Sequence, residues 1–443
     1  MSGRSDDVRS RDERVGRVRW LMVGLAFAGI GINYIDRSNL GVAVPFIDKD
    51  LHLSTATTGI ALSAFFFTYA LFQLVSGYVV DRIGARIVYA FGAIWWSVFT
   101  ASTALANSFA SLIGFRLALG VGEAGGYPSC AKVVAEWFPL RERGIATSIY
   151  DNGQRFGTAL ATPLVVFLIA QWGWRSSFAV SGLLGLVWVA FWIVLYRSPG
   201  KHPWVKQPEL DYIAQGARSP EREQAAVERS GIRWIDLFRY RTIWGMMIGF
   251  FCVNFVIYFF ITWFPDYLVT ARHFDLLKLG YFGSIPAVVA IFGGWFGGFV
   301  ADRLVRSGMS ITKARKICLV AGLLCSSVIA VAVIVPSAVL ALVLLSVCFA
   351  CTTFTAASVW SLPADVAPTA RHVSSIGGIQ NCASNIAGIV SPSYTGFVVA
   401  ATNGSFVIPL VTAGGLAIVG ALAYLFIVGK VEPLPWRQQE AAA

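Results

Sequence analysis

The chain has 443 residues, of which 56% are hydrophobic and only 13% are charged. A soluble domain would carry about 25% charged residues, so a soluble globular protein is excluded. The formal net charge of +11 comes from basic residues scattered over short polar segments, which argues against a nucleic-acid-binding surface. The composition predicts an all-α polytopic membrane protein whose basic loops contact anionic membrane lipid.

Apolar stretches recur along the chain, and each is long enough to cross a bilayer as a helix of about 20 residues. We predict twelve transmembrane helices, at 19–44, 57–80, 87–106, 110–135, 144–170, 176–196, 242–265, 279–301, 315–335, 338–361, 372–400 and 406–429. With both termini cytoplasmic, the inner loops and tails hold 27 of the 35 Lys and Arg residues and the outer loops hold four. This asymmetry is typical of inner-membrane proteins.

A polar segment divides the spans six and six, and the halves repeat two motifs. Gly-x-x-x-Asp-Arg follows span 2 at 77–82 and span 8 at 298–303. A turn with an acidic residue, proline and arginine follows span 4 at 136–143 and span 10 at 365–371. The pattern predicts two pseudo-symmetric six-helix bundles with a substrate site between them. The predicted units are a tail at 1–18, a bundle at 19–196, a cytoplasmic loop at 197–241, a bundle at 242–429 and a cytoplasmic tail at 430–443.

Span 1 contains two adjacent charges, Asp36 and Arg37. A charge at membrane depth costs roughly 2.5 to 3.5 kcal/mol on insertion scales and is usually functional. Adjacent helical side chains diverge by about 100°, so both cannot face one ligand atom. We expect Arg37 to face a cavity and bind a carboxylate, for which its planar fork is suited. We expect Asp36 to face a neighbouring helix or polar pocket, where it can exchange a proton.

Span 4 places Arg116, Gly120, Glu123 and Tyr127 at helical spacing on one face. We expect this face to line the same cavity, with Arg116 as a further substrate contact, unless its charges only hold span 4 against span 1. A buried carboxyl holds a proton near neutral pH, and a neighbouring arginine opposes this. An anion that engages the arginine therefore favours proton uptake by the carboxyl. The pair Asp36 and Arg37 in span 1 and the pair Glu123 and Arg116 in span 4 both suit this scheme.

Other polar residues at membrane depth admit two interpretations. In span 5, Asp151 and Arg155 have the i,i+4 spacing of a helical ion pair. If Arg155 instead faces the cavity, a second carboxylate on the substrate is indicated. The aromatic residues Tyr34, Tyr69 and Trp360 either line the site or are packing side chains.

The whole chain resembles the major facilitator superfamily in its twelve spans, its central loop and its Gly-x-x-x-Asp-Arg-x-Gly-x-Arg loop. Within that superfamily, Asn33–Leu40 and Arg116–Pro128, followed by Trp137-Phe138-Pro139, are similar to the anion:cation symporter family. That family includes bacterial transporters of hexuronates, aldarates and aldonates, and animal relatives such as sialin. The resemblance implies the major facilitator fold.

The resemblance also implies roles for single residues. It assigns substrate carboxylate binding to Arg37 and proton coupling to Asp36 and Glu123. It implies that Gln154 contacts substrate hydroxyls and that further substrate contacts come from Tyr69 and Asn381. Asp151 and Arg155 are not part of the family pattern.

Charged residues at the inner helix ends are expected to form inter-helix salt bridges that close an inner gate, unless they serve topology and solvation alone. They are Asp81, Arg82, Arg86, Glu136, Arg143, Asp302, Arg303, Asp365 and Arg371.

The expected function is import of a sugar acid by proton symport with alternating access, in a functional monomer in the bacterial inner membrane. No cofactor is expected, and the proton is the expected coupling ion. Proton- or sodium-coupled transport of another organic anion, such as an aromatic or dicarboxylic acid, and a non-transporting receptor remain alternatives. A membrane enzyme is disfavoured because the sequence has no GxSxG or HExxH motif, and its four histidines lie in loops or at span ends.

Overall fold

In a computed structural model, residues 15–139, 141–214, 234–368 and 370–435 are described, and their regular secondary structure is helical. The first half contains α1 (Val18–Leu51), α2 (Thr55–Ile83), α3 (Ala85–Thr103), α4 (Phe109–Glu123), α5 (Gly126–Trp137), α6 (Arg143–Trp172) and α7 (Trp174–Leu195). Between the halves lie a 3₁₀ turn (Pro199–Lys201), α8 (Gln207–Ala214) and a second 3₁₀ turn (Trp234–Arg239).

The second half contains α9 (Arg241–Thr262), α10 (Phe264–Thr270), α11 (Leu276–Phe282), α12 (Ile285–Arg306), α13 (Ile311–Ser326), α14 (Ile329–Ala332), α15 (Ala338–Val359), α16 (Leu362–Val366), α17 (Ala370–Ala401) and α18 (Val407–Leu422), which ends in a π-helical turn. Short breaks divide several membrane spans into two helices. The pairs α4–α5, α9–α10, α11–α12, α13–α14 and α15–α16 each form one span.

The twelve predicted spans are all helical in the structure. Within the described residues, nine helical stretches are long and apolar enough to cross a membrane, and α3, the α4–α5 pair and α17 supply the other three. Helix ends differ from the predicted ones by a few residues in most spans, and two differences are close to the charged residues of spans 1 and 4. The first helix continues through Pro45 to Leu51 instead of ending at 44, and span 4 is interrupted after Glu123. The predicted tails and central loop fall partly outside the described residues, at 1–14, 215–233 and 436–443.

Part of the central segment is anchored to the first bundle. The guanidinium of Arg19 contacts Glu142 at 3.0 Å and Glu209 of α8 at 3.4 Å. The Tyr212 hydroxyl also donates to Glu142. Although burial opposes it, Tyr212 and Arg19 together lower the pKa of the Glu142 carboxyl. This cluster fixes α8 beside the start of α1.

We call the side that carries the start of α1 the inner side and the side that carries the α1–α2 turn the outer side. The two bundles meet at their outer ends. Ser63 of α2 donates to the Ile389 carbonyl of α17 at 2.7 Å, and Ser393 donates to Ser63 at 2.8 Å. Gly59 lies against the backbone of α17 at Pro392 and Gly396. Backbone-to-backbone packing therefore closes the outer side.

Replacing Gly59 with alanine is expected to disfavour this closure. The added Cβ would lie 2.8 Å from the Pro392 carbonyl oxygen and 3.1 Å from the Gly396 Cα. Because both contacts are backbone atoms, α2 and α17 must separate, at a cost of about 1–3 kcal/mol. We expect about a 5- to 150-fold shift of the conformational equilibrium towards an outer-open state, measured by double electron–electron resonance between spin labels on the outer ends of the bundles. In Gly24→Ala, the matched control, the added Cβ has nothing within 4 Å. An unchanged distance distribution in Gly59→Ala would contradict the prediction.

Candidate functional site

A cavity of about 810 Å³ lies between the bundles. Its wall is formed by α1, α2, α5 and α6 of the first bundle and by α9, α12, α15 and α17 of the second. It extends from Tyr34 and Arg37 at mid-depth to Asp81 and Lys132 near the inner end. Since the outer ends are packed together, the cavity opens towards the inner side. Its volume suits a small molecule.

Arg37 presents its guanidinium to this cavity. Its Nε donates to Glu123 Oε2 at 2.7 Å, and the residue is 3% exposed. The rings of Tyr34, Phe65 and Tyr69 lie 4.4–4.8 Å from Cζ, an arrangement that stabilises a cation. Nη2 has no hydrogen-bond partner among the described residues. One edge of the fork is therefore held by Glu123, while the guanidinium keeps an unused donor for an anion.

Asp36 points away from the cavity. It is 1% exposed and lies beside the hydroxyl of Thr100 and the charges of Glu123 and Arg116. Neither carboxylate oxygen has a hydrogen-bond partner among the described residues. The two adjacent charges of span 1 thus face different surroundings, with Arg37 on the cavity wall and Asp36 in the packed interior of the first bundle.

Arg116 differs in position from the expected substrate contact. It is buried outside the cavity lining, with Cζ 5.1 Å from the Phe65 ring. Gly120, on the same face, packs against the Phe65 carbonyl and Thr68 of α2. Arg116 and Gly120 of the face predicted to line the cavity are therefore packed against α2, and Glu123 contacts Arg37 of α1. Only Tyr127 of that set reaches the cavity, because the helix breaks between Glu123 and Gly126.

In α6, Arg155 both forms the ion pair with Asp151 and lines the cavity. Asp151 Oδ2 contacts Arg155 Nη1 at 3.3 Å, and Asp151 Oδ1 accepts from Gln154 Nε2 at 2.9 Å. Both Gln154 and Arg155 line the cavity. Asp151 orients both side chains and is not itself among the described lining residues.

Gln73 was not identified from the sequence, yet it connects the bundles across the cavity wall. Its Oε1 accepts from Asn385 at 2.8 Å and from Asn381 at 3.1 Å. Its Nε2 donates to the Tyr69 hydroxyl at 3.2 Å. Its position four residues after Tyr69, in an apolar span, is the signal that could have identified it.

The second bundle contributes amides, hydroxyls, aromatic rings and one thiol. Trp360 lines the cavity and contacts the Phe250 ring edge-on at 5.4 Å. Asn254 and Tyr258 of α9 also line it and were missed, because single polar residues in an aromatic-rich span form no recognisable pattern. Further lining residues include Asn381, Cys382, Ser384 and Asn385.

The charged residues at the inner helix ends make contacts within their own bundles. Asp81 pairs with Lys132 at 3.3 Å, and Asp365 pairs with Arg315 at 2.8 Å. The remaining contacts join Arg86 to the Ile193 carbonyl, Glu136 to the Tyr196 hydroxyl, Arg143 to the Phe138 and Ala135 carbonyls, and Arg82 to the Tyr78 ring. Asp302 and Arg303 are exposed, and the Arg371 side chain lies outside the described part. Where the side chains are described, no ion pair links these residues across the bundles, in keeping with an open inner side.

The sequence of these two six-helix bundles matches a known family model. Residues 26–392 match the Major Facilitator Superfamily. The chain belongs to this superfamily. It is a multi-pass membrane transporter and not an enzyme, and the resemblance and fold class predicted from the sequence are confirmed.

Curated relatives extend over nearly the whole chain. A probable L-galactonate transporter of Escherichia coli (strain K12) is 35% identical, with 96% of this chain and 92% of that protein covered. A probable galactarate/D-glucarate transporter of Bacillus subtilis (strain 168) is also 35% identical, covering 96% and 94%.

A solved structure shares the fold. It is a bacterial homolog of the human lysosomal transporter Spinster, in an inward-facing and unoccupied conformation. Its TM-score is 0.74 at 19% identity, with 93% of this chain and 97% of that chain covered.

Proposed function

We propose that this protein imports a sugar acid by proton symport across the bacterial inner membrane. The observation that carries this proposal is Arg37, which is held by Glu123 on one edge and faces the cavity with a buried donor unused. An arginine fork binds a carboxylate with strong, directional hydrogen bonds. The relatives named as galactonate, galactarate and glucarate transporters support a polyhydroxy acid as the substrate.

Charge balance supports coupling to protons. The buried cluster contains two guanidiniums, Arg37 and Arg116, and two carboxyls, Asp36 and Glu123. It is neutral when all four groups are ionised, so an entering carboxylate adds one uncompensated negative charge. Burial of such a charge is costly, and one proton on either carboxyl removes it. A substrate carboxylate that competes for Arg37 also weakens the hold of Arg37 on Glu123, which favours Glu123 as the proton acceptor.

Hydroxyl recognition is proposed for the amides and phenols on the cavity wall. Gln154 on one side, and Gln73 with Asn381 on the other, each offer both a donor and an acceptor. Tyr34, Tyr69 and Trp360 provide apolar faces for the carbon chain. Carboxylate binding and proton exchange then belong to the first bundle, whereas hydroxyl contacts come from both bundles.

Alternating access follows from relative motion of the bundles at 19–196 and 242–429. Opening of the outer contact would accompany closure of the inner side, where we propose that Asp81, Asp302, Asp365 and their neighbouring arginines form inter-bundle ion pairs. We propose cytoplasmic termini because of the basic inner loops. We also propose a functional monomer, because the cavity lies within a single chain.

Uptake by the purified protein in proteoliposomes tests the proposal. The substrates are glucuronate, galacturonate, glucarate, galactarate, galactonate and gluconate, with an aromatic acid for comparison. We expect an inward proton gradient to drive accumulation of at least one sugar acid, and a protonophore to abolish it. Absence of sugar-acid uptake would overturn the substrate class. Uptake driven by a sodium gradient and insensitive to the protonophore would overturn the coupling ion.

A further inference from the structure

Arg155 has the features of a second anion-binding group in the same cavity. Its side chain is 13% exposed and lines the cavity from α6. Asp151 and Asn152 accept from Nη1 at 3.3 Å and 3.0 Å, whereas Nε is buried and has no partner among the described residues. Arg155 is therefore held through Nη1 alone, and like Arg37 it keeps a donor without a partner among the described residues.

The second bundle leaves room for this guanidinium. A Cβ at Gly294 of α12 would lie 3.3 Å from Arg155 Nε and 3.5 Å from Cζ. The planar group therefore lies directly on the backbone of α12, where a larger side chain would displace it. Arg155 reaches from one bundle to the other at the point where a bound molecule would contact both.

The two arginines lie at different depths. Gly153 and Gly157 bring α6 against the backbone of α1 at Gly31, so Arg155 is level with Gly31. Arg37 lies six residues further along α1, which corresponds to ~9 Å along the helix axis. Two cationic side chains that start from backbone positions offset in this way match an extended molecule with a carboxylate at each end better than a compact anion with one charge.

We propose that Arg155 binds a second carboxylate and that the substrate is a sugar diacid of the aldaric type. This inference rests on the proposed function, because it assigns the far end of a molecule whose first carboxylate is bound by Arg37. Asp151 is the positioning residue. Asp151 and Asn152 hold Nη1, and Nε is covered by α12, so Nη2 is the donor that remains for the second carboxylate.

Glucarate and gluconate provide a matched pair of ligands. They share a six-carbon polyhydroxy chain with a carboxylate at C1, and they differ at C6, which is a carboxylate in glucarate and an alcohol in gluconate. We expect the native protein to bind glucarate at least about tenfold more tightly than gluconate in isothermal titration calorimetry. Arg155→Gln should weaken glucarate binding by about 10- to 150-fold, the range for a hydrogen bond to a charged group. Its gluconate affinity should stay within about twofold of the native value.

The gluconate affinity of Arg155→Gln also reports whether the variant folds. Arg155→Lys is a second variant that keeps the charge and loses the planar fork, and it should retain part of the glucarate preference. Equal affinity of the native protein for both acids, or equal losses for both acids in Arg155→Gln, would overturn the second subsite while leaving sugar-acid transport in place. Failure of the native protein to bind any sugar acid would instead overturn the proposed function.

Discussion

Replacement of Arg37 with alanine is expected to weaken sugar-acid binding by at least about 100-fold. Hydrogen bonds to charged groups contribute about 1.5–3 kcal/mol each, and the variant loses at least one such bond together with the attraction of the buried charge. The substitution also leaves Glu123 buried without the guanidinium that contacts it at 2.7 Å. Breaking a buried pair in this way costs about 3–5 kcal/mol of stability. Calorimetric titration and thermal unfolding measure the two effects.

A double variant separates these effects. Arg37→Ala combined with Glu123→Gln removes both charges, so it should recover most of the lost thermal stability while binding stays abolished. Arg306→Ala, which removes an exposed arginine at the end of α12, is the control for a general change in charge. Native affinity in Arg37→Ala would exclude Arg37 as the substrate anchor. Equal instability of the single and double variants would contradict the ion-pair explanation.

Replacement of Glu123 with glutamine is expected to uncouple transport from the proton gradient. The glutamine side-chain oxygen can still accept from Arg37 Nε, so the position of the guanidinium is preserved. The amide cannot take up or release a proton. Counterflow exchange of labelled substrate should therefore stay within about twofold of the native rate. Accumulation driven by a pH gradient should fall to the level seen without a gradient.

The control for this variant is Asp275→Asn. Asp275 is an exposed carboxylate that caps α11, and asparagine caps a helix equally well. It should accumulate substrate as the native protein does. Undiminished accumulation in Glu123→Gln would remove Glu123 from the coupling step, and the same pair of assays on Asp36→Asn would then test the second buried carboxyl.

The helices could be predicted from the sequence because twenty-residue apolar stretches have few alternatives in a bilayer. The separation of Asp36 from Arg37 could also be predicted, since it depends only on the rotation between neighbouring helical positions. The ion-pair partner of Arg37 could not be predicted from the sequence. Glu123 lies 86 residues away, and its approach depends on how the helices of the first bundle pack together.

Arg116 shows the limit of arguments from helical faces. Helical spacing puts Arg116 on the same face as Glu123 and Tyr127, but it does not show which neighbouring helix packs against that face. The glycine at 120 permits α2 to approach closely, so this face is covered by Phe65 and Thr68. The break after Glu123 then turns Tyr127 into the cavity independently of the other two residues. The loop motifs repeated in the two halves could reveal the two bundles from sequence. A single amide such as Gln73 is recognisable as a site residue only in the structure, where it contacts the second bundle.

The thiol on the cavity wall gives the native chain its own reporter of conformation. Cys382 is exposed on α17 and lines the cavity, which opens to the inner side. A membrane-impermeant maleimide applied from that side therefore reacts with it at a rate proportional to the time that the inner side stays open. Cys325, the other exposed thiol in the described part of the chain, lies outside the cavity lining. In Cys325→Ser, the alkylation rate of Cys382 would report the fraction of time that the inner side is open, with no engineered probe in the site.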